Sequence, residues 1–461
     1  MSESYDFDVF VVGTGPAGKA AAIAAAKLGK RVGVVERRAC VGGVCVNTGT
    51  IPSKTLREAI LYFTGFRLRS LYGQNYRVKE EITMTDLTIR THHVMNAEME
   101  VIQSQMGRNG ARMLSGEAHF VDPHTLAIRQ DDVEQRVTAA TFILAPGTEP
   151  ARPDGVDLIP GRVVDSDGVL RMDHIPKTMT VVGGGIIGIE YASMFATLGT
   201  KVTLIEARPR LLDFVDMEIA DALTYHLRER GMTFRLCEEL SFVEMDRDHP
   251  VALLASGKRI KNEVLLFSMG RQGRTAQLTL DAVGITPDSR GRLEVNEHYQ
   301  TSLPHIYAVG DVVGFPALAS TSSEQGRLAA LHACGQPGRT MPNTYPYAVY
   351  AIPEISMVGR TEEQLTHDCV PFESGVAHYR EIAKGQILGD QTGMLKILFH
   401  LDTHKILGVH ALGENASEII HIGQAVMALG GTVEYFRDNV FNYPTLAECY
   451  KVAAYAGLNK L

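Results

Sequence analysis

Three closely spaced glycines follow an apolar run near the N-terminus, and a glutamate ends the next apolar run. Residues 8 to 36 contain an apolar run that ends at Gly13, then Gly15 and Gly18, an alanine-rich stretch, and a second apolar run that ends at Glu36. In such a unit the first glycine permits a tight turn, the second lets a pyrophosphate approach the backbone, and the third lets helix and strand pack closely. The terminal carboxylate accepts hydrogen bonds from a ribose. The pattern therefore predicts a strand, a helix and a second strand that position these groups.

The same arrangement recurs in the middle of the chain. Gly183, Gly185 and Gly188 occupy the three glycine positions, and Glu206 occupies the acid position at the same distance from the third glycine as in the first unit. One glycine motif alone is weak evidence, because glycine-rich turns are common. Two complete strand-glycine-helix-strand units predict two bound dinucleotides, and therefore chemistry between them.

A third element lies at residues 301 to 311, where an apolar run ends in Gly310 and Asp311. An aspartate at a strand end can hydrogen-bond a polyol hydroxyl. Gly-Asp pairs are also common in turns, so this element supports the two glycine units and predicts little without them.

The composition is that of a soluble globular protein with more than one domain. The chain has 461 residues, of which 45% are hydrophobic and 21% charged, and its formal net charge is -8. We find no dense Lys/Arg run, so no nucleic-acid partner is expected. The most apolar tract, around residues 181 to 199, contains Glu190 and five glycines, which argues against a membrane span.

The cysteines and the N-terminus favour a cytoplasmic protein. The six cysteines are scattered and form no zinc-type pairs. The acidic N-terminus lacks the basic and apolar regions of a secretory signal. We therefore expect reduced thiols and no metal site.

Residues 41 to 54, VGGVCVNTGTIPSK, lie between the first and second elements. In this order the motifs resemble the flavin-dependent pyridine nucleotide–disulfide oxidoreductases over nearly the whole chain. The resemblance implies an α/β fold with two Rossmann-like dinucleotide-binding domains and a C-terminal α+β dimerisation domain. It implies that residues 1–150 and 276–342 bind FAD, residues 151–275 bind NAD(P), and residues 343–461 form the dimer interface.

The resemblance also implies two sets of binding residues. The FAD set consists of small and polar residues around the first glycine loop and the Asp311 strand end: Gly13, Gly15, Gly18, Glu36, Gly43, Cys45, Lys54, Gly116, Asp311 and Ala319. The NAD(P) set lies around the second glycine loop: Gly183, Gly185, Gly188, Glu206, Arg208 and Gly270. Lys54 and Glu190 are implied to form a buried ion pair near flavin N5, where the lysine charge favours the anionic reduced flavin.

The chain departs from the family at two catalytic positions. The family has a second cysteine five residues after Cys45, where this chain has Thr50, and a histidine before Pro-Thr, where it has Tyr443; the glutamate that follows is Glu448. We interpret Cys45 as a small residue packed against the flavin. Thr50 hydrogen-bonds the flavin, tightens the helix that carries Lys54, or fills the space of the lost sulfur. A disulfide with Cys40 is disfavoured, since the family alignment puts Cys40 near the adenosine end of FAD.

These departures are similar to those of the pyridine nucleotide transhydrogenases, a subgroup of the family. The similarity implies a Si-specific enzyme that exchanges hydride reversibly between NADPH and NAD+ through flavin N5, by a ping-pong mechanism without a redox disulfide. NAD(H) and NADP(H) would be substrates that use one site in turn, with Glu206 binding the NAD ribose and Arg208 the NADP phosphate. An interpretation of Arg208 and Arg210 as solvated loop charges stays open.

Two other functions stay open at this point. One is a quinone or dye reductase of the same family, and the other is a non-catalytic flavoprotein sensor. The resemblance also implies a homodimer in which Tyr443 reaches the flavin site of the partner subunit, and it leaves a larger assembly open.

Overall fold

The chain packs as two units, and each contains a sheet whose central strands are parallel. The computed structural model describes residues 5–153 and 155–461. The first unit comprises the chain up to Thr55, Thr88–Ala151 and Gly270–Pro342, and the second comprises Leu56–Leu87, Arg152–Met269 and Asn343–Leu461. Because this division follows packing and not ligand binding, the four ligand-binding and interface segments predicted from the sequence stay a prediction.

The first unit contains a seven-stranded sheet. In spatial order its strands are Arg112–Ser115, Val32–Glu36, Phe7–Val12, Val133–Leu144, Thr125–Gln130 and Glu117–Asp122, with Ile306–Ala308 paired to Val133–Leu144. Phe7–Val12 runs parallel to both of its neighbours and is buried along nearly its whole length. Such continuous apolar strands are typical of parallel sheets covered on both faces. A two-stranded ribbon, Thr148–Pro150 with Arg271–Gly273, completes the unit.

The helices of the first unit hold the glycine loop against this sheet. Pro16–Lys27 begins directly after the loop with proline at its first turn, where the fixed φ of proline suits a helix start. Its small residues Ala21 and Ala25 share a core with Ala329. The other helices of this unit are Gly43–Asn47 and Ala319–Ala333, together with the 3-10 turns Ala276–Leu278, Leu280–Val283 and Gly310–Val313. Two more helices, Thr50–Phe63 and Met84–Arg108, belong partly to this unit and partly to the second.

The second unit contains a parallel and two antiparallel sheets. The parallel sheet has the order Thr233–Leu236, Lys201–Glu206, Thr178–Val182, Val264–Phe267 and Val163–Asp165. A three-stranded antiparallel sheet consists of Leu240–Asp246, His249–Leu254 and Arg259–Lys261. The C-terminal antiparallel sheet has the order Tyr347–Val349, Ile355–Gly359, Ile406–Leu412, Met394–His400 and Phe372–His378.

The helices of the second unit cover these sheets. They are Arg69–Tyr72, Ile186–Leu198, Met217–Glu229, Glu362–His367, Ala383–Leu388, Ala416–Ala428, Glu434–Asp438 and Glu448–Leu458, with 3-10 turns at Phe66–Leu68, Val169–Arg171 and Tyr379–Glu381. Val181 of the parallel sheet, Leu223 of a helix and Ile355 of the C-terminal sheet belong to one apolar core. Within the described residues, no helix has the length and apolar character to cross a bilayer. The predicted fold class, two Rossmann-like parts and a C-terminal α+β part, is confirmed.

Candidate dinucleotide-binding sites

The three glycines of the first loop have different surroundings. Gly13 has a φ of +102°, and a Cβ there would lie 2.3 Å from the carbonyl oxygen of Ala145. A Cβ on Gly18 would lie 2.0 Å from the carbonyl oxygen of Gly13, so helix and strand are in contact there. At Gly15, by contrast, no described atom lies within 4 Å of the Cβ position. The turn and the close packing explain the first and third glycines, and the second faces open space where a ligand can approach.

Glu36 is buried and held at the end of its strand by several hydrogen bonds. Its Oε2 accepts from the backbone N of Thr14 at 3.1 Å and from the Thr14 hydroxyl, and its Oε1 accepts from the backbone N of Arg38 at 3.0 Å. The Thr14 hydroxyl in turn accepts from the backbone N of Gly42 at 3.0 Å. Sequence reasoning missed Thr14, although a hydroxyl between the first two glycines was a visible signal.

A cavity of about 1160 Å³, including its mouth, opens beside this loop. It brings together most of the residues predicted to bind FAD: Gly13, Gly15, Glu36, Gly43, Cys45, Gly116, Asp311 and Ala319, together with Thr50. Gly18 and Lys54 lie outside this lining. Lys54 is half-buried on the helix that begins at Thr50, and its Nζ lies 3.4 Å from the hydroxyl of Ser53.

Cys45 and Thr50 line the cavity together. Burial raises the pKa of the Cys45 thiol, although its hydrogen bond with Thr50 acts in the opposite direction. All six cysteines lie in the described ranges and are free. Cys40 is not bonded to Cys45, and its thiol donates to Oδ1 of Asn47 at 3.0 Å. The position of the missing second cysteine is therefore taken by a hydroxyl that contacts the remaining thiol.

Two residues that sequence reasoning missed position the Asp311 strand end. The Ser322 hydroxyl donates to Oδ1 of Asp311 at 3.1 Å, and the backbone N of Gly310 donates to Oε1 of Gln325 at 2.7 Å. Ser322 and Gln325 are buried on the helix Ala319–Ala333. One helix thus orients both the aspartate side chain and the backbone that precedes it.

The polar groups of the cavity fit FAD. Three guanidinium groups, those of Arg37, Arg38 and Arg274, line it, as suits a pyrophosphate. In the described part of the chain, the buried Nε of Arg274 has no hydrogen-bond partner. Burial, together with the nearby Arg38, lowers the pKa of Arg37. An anion that accepts from these groups would supply the missing hydrogen bond and relieve the repulsion between the arginines.

The second glycine loop repeats the geometry of the first. A Cβ on Gly183 would lie 2.5 Å from the carbonyl oxygen of Ser268, and a Cβ on Gly188 would lie 2.0 Å from the carbonyl oxygen of Gly183. No described atom lies within 4 Å of the Cβ position of Gly185. The open side again lies at the middle glycine, just before the helix Ile186–Leu198 whose first N–H groups suit a phosphate.

Glu206 differs from Glu36 in its partners. Its Oε2 accepts from the backbone N of Gly184 at 2.6 Å, and its Oε1 accepts from the backbone N of Arg208 at 2.9 Å. The Arg208 guanidinium adds an Nε bond of 3.0 Å and an Nη2 bond of 3.2 Å to the same carboxylate. Burial acts to raise the pKa of Glu206, but these hydrogen bonds outweigh burial and hold the pKa below its ordinary value.

Two further predicted residues lie in different units. Glu190 is buried on the helix Ile186–Leu198, and its Oε1 accepts from the backbone N of Tyr350 at 2.8 Å. Gly270 belongs to the first unit, and its carbonyl accepts from the backbone N of Ala151 at 3.0 Å. The expected pair of Lys54 with Glu190 joins residues of the two units and stays a prediction, as does the NAD(P) role of Gly270.

The C-terminal candidates have contrasting environments. Tyr443 is 74% exposed. Glu448 begins the helix Glu448–Leu458, and its Oε2 is buried without a hydrogen-bond partner among the residues that the structure describes. An exposed aromatic side chain before that helix is available to another subunit.

Sequence comparison places these features in a known family. Residues 7–326 match the family model described as pyridine nucleotide-disulphide oxidoreductase, and residues 345–454 match its dimerisation domain. A soluble pyridine nucleotide transhydrogenase from Mycobacterium tuberculosis (strain ATCC 25177 / H37Ra) is 53% identical over 459 residues, which cover 99% of this chain and 98% of that protein. A protein of the same name from Enterobacter sp. (strain 638) is 46% identical over 466 residues, covering 100% of both.

Solved structures agree with this placement. The HOCl-induced flavoprotein disulfide reductase RclA from Escherichia coli is similar with a TM-score of 0.88 and 28% identity, covering 97% of this chain and 99% of that one. LpdA from Mycobacterium tuberculosis, with a TM-score of 0.90, 24% identity and coverage of 97% and 98%, shares the fold. The resemblance seen in the sequence motifs is thus confirmed, and the chain belongs to the pyridine nucleotide-disulphide oxidoreductase family.

Proposed function

We propose that this chain is an FAD-dependent enzyme that exchanges hydride between NADPH and NAD+. The observation that carries the proposal is the pair of Cys45 and Thr50 in the cavity, where a disulfide reductase would need two cysteines. The full-length relatives named soluble pyridine nucleotide transhydrogenase favour this function over a quinone or dye reductase and over a non-catalytic sensor.

The first unit supplies the groups that hold FAD. The open side of Gly15 and the N-terminus of the helix Pro16–Lys27 suit the pyrophosphate. Glu36 accepts hydrogen bonds from a ribose, and Asp311, oriented by Ser322, accepts them from the polyol chain. When bound, FAD supplies the group that accepts a hydride from one nicotinamide and returns it to another.

The second unit supplies a loop that binds both nicotinamide nucleotides in turn. The open side of Gly185 suits the pyrophosphate of either nucleotide. Glu206 accepts hydrogen bonds from the two hydroxyls of an NAD ribose, and the Arg208 guanidinium binds the 2′-phosphate of NADP. Since the two substrates use the same loop, one must leave before the other enters, and a ping-pong mechanism follows.

Cys45 and Thr50 shape the cavity and do not relay electrons. A hydroxyl cannot form a disulfide with the Cys45 thiol. Because its raised pKa keeps this thiol protonated at neutral pH, it is also a poor nucleophile. The proposed exchange requires neither property, which explains how the family fold works here with one sulfur.

The dimerisation domain, which matches residues 345–454, indicates a homodimer. We propose that the exposed Tyr443 contacts the cofactor site of the partner subunit, with Glu448 on the following helix supporting that segment. We also propose a cytoplasmic location and Si-specific transfer, and a larger assembly stays open.

A direct assay under nitrogen tests the function. Purified holoenzyme is mixed with NADPH and thio-NAD+, and the rate is compared with that measured when a quinone replaces thio-NAD+. Rapid thio-NADH formation with parallel double-reciprocal plots is expected, because the two nucleotides use one site in turn. A fast quinone reaction with no thio-NADH formation would refute the proposal and favour the reductase.

A further inference from the structure

Arg208 lies between two carboxylates in the second unit. One edge of its guanidinium donates to Glu206, through Nε at 3.0 Å and Nη2 at 3.2 Å. The remaining Nη1 donates to Oδ1 of Asp213 at 2.9 Å. Glu206 is buried, whereas the side chains of Arg208 and Asp213 are 43% and 57% exposed. The arginine can therefore change partners without moving a buried group.

In the first unit, a different group forms the corresponding hydrogen bond to the carboxylate. There the acid Glu36 is bonded by the hydroxyl of Thr14, a short side chain buried in the glycine loop. The residue in the corresponding position of the second loop is Gly184, which has no hydroxyl to offer. A long and partly exposed guanidinium takes the place of that hydroxyl on the carboxylate. The carboxylate of the first site is thus bonded by a buried hydroxyl, whereas that of the second site is bonded by a guanidinium that can exchange partners.

Binding of either nicotinamide nucleotide requires the Arg208 guanidinium to change its hydrogen-bond partners. The hydroxyls of an NAD ribose need the Glu206 oxygens that Arg208 occupies, so the guanidinium must release them while Asp213 retains Nη1. The 2′-phosphate of NADP needs the guanidinium itself, and Asp213 competes with that phosphate for Nη1 of Arg208. Asp213 therefore favours NAD in both cases.

We propose that Asp213 is a specificity-determining residue that acts through Arg208 and biases the second loop toward NAD(H). The inference rests on the proposed function, since it assumes that this loop binds both nucleotides. Asp213 is thus a third group, besides Glu206 and Arg208, that sets the preference between NAD(H) and NADP(H). A partly exposed ion pair has a modest energy, so the expected change in preference is about two- to fivefold.

The test compares Asp213→Asn with Asp221→Asn in the holoenzyme, where FAD occupies the first site. Asp221→Asn removes the same charge from an exposed position on the helix Met217–Glu229. Calorimetry measures the binding of 2′,5′-ADP and of ADP, and steady-state kinetics measure kcat/KM for NADPH and NADH. We expect Asp213→Asn to raise both preference ratios for the phosphorylated ligand about two- to fivefold, and Asp221→Asn to leave them unchanged.

A double-mutant cycle separates this role from a general charge effect. In an Arg208→Ala background, Asp213→Asn should no longer change either ratio, because the group through which it acts is absent. Unchanged ratios in Asp213→Asn, or an equal change with Arg208 removed, would overturn the proposal while the function stands. If the unaltered enzyme bound neither probe, the proposed function would fail and this inference with it.

Discussion

The Nζ atom of Lys396 lies 2.9 Å from Oδ1 of Asp216, and both side chains are almost completely buried. The same ammonium group is 3.0 Å from a carboxylate oxygen of Glu218 and 2.9 Å from one of Glu362. Asp216 precedes the helix Met217–Glu229, and Lys396 lies on a strand of the C-terminal sheet. This charge cluster joins the helix to the C-terminal sheet within the second unit.

Replacement of this lysine should destabilise the protein strongly. Lys396→Met leaves Asp216 buried without its cation, so we expect the free energy of unfolding to fall by about 3–5 kcal/mol. Denaturant unfolding followed by far-UV circular dichroism measures the change. Lys405→Met, at an exposed position, is the matched control and should change stability by less than about 0.5 kcal/mol. Equal effects of the two variants would contradict a structural role for the buried ion pairs.

The same cluster predicts a dependence of stability on pH. Burial acts to raise the pKa of Asp216, but the hydrogen bond and charge of Lys396 and the hydrogen bond from the backbone N of Glu362 act against burial, and the pKa is lowered overall. A carboxyl group with a lowered folded pKa stabilises the protein above its unfolded pKa of about 3.9, and this contribution is lost as the pH falls through the folded value. The stability difference between unaltered protein and Asp216→Asn should therefore be largest near neutral pH and shrink below about pH 4. A difference that is constant between pH 7 and pH 3 would be the contrary result.

Two glycines of the first loop should respond differently to alanine. At Gly15 the added methyl group enters open space, so Gly15→Ala should fold but bind FAD about tenfold more weakly, or about 1.4 kcal/mol. At Gly18 the methyl group would lie 2.0 Å from a backbone oxygen, so Gly18→Ala should lose about 1–3 kcal/mol of stability. Flavin fluorescence measures the affinity, and thermal unfolding of the apoprotein measures the stability. A loss of stability in Gly15→Ala equal to that in Gly18→Ala would show that the second glycine also serves packing.

Cys45 should be dispensable for hydride exchange. Because its neighbour is Thr50 and not a second cysteine, only the flavin stores electrons, and an anaerobic dithionite titration should end at about two electrons per FAD. Cys45→Ser should keep most of the exchange between NADPH and thio-NAD+, as should the matched variant Cys40→Ser. Uptake of four electrons, or loss of exchange in Cys45→Ser with FAD still bound, would point to a redox-active thiol.

Glu206 and Arg208 should have opposite effects on nucleotide choice. Glu206→Ala removes the acceptor of the NAD ribose hydroxyls and the charge that repels a 2′-phosphate, so the ratio of kcat/KM for NADPH to that for NADH should rise about tenfold, or about 1.4 kcal/mol. Arg208→Ala should lower the same ratio, because the guanidinium that binds the phosphate is lost. If neither variant moved the ratio, the second glycine loop would not distinguish the two riboses.

The glycine and acid positions were predictable because their structural roles depend only on neighbouring residues in the chain. A tight turn, a helix that starts within a few residues, and an acid at the next strand end all follow from the short segment that contains them. The two glycine loops, the strands beside them and the departure at Thr50 could therefore be identified along the chain. The same is true of the fold class, since repeated strand-helix-strand units favour parallel sheets.

The partners of these residues were decided by the tertiary structure. The hydroxyl of Ser322 reaches Asp311 across a loop and a turn of helix. Asp216, which pairs with Lys396, lies 180 residues earlier in the chain. No periodicity in the sequence indicates such contacts, because they depend on how strands and helices pack against one another.

The glycine positions and strand ends that we propose as binding sites for phosphates and riboses could be inferred along the chain, since glycine conformation and strand ends are properties of short segments. The side chains that surround those positions were set by the folded structure. It placed a fixed hydroxyl on Glu36 and an exchangeable guanidinium, shared with Asp213, on Glu206. The reason is that burial and electrostatic pairing arise when distant segments pack together, and these contacts set the charge and accessibility of each site.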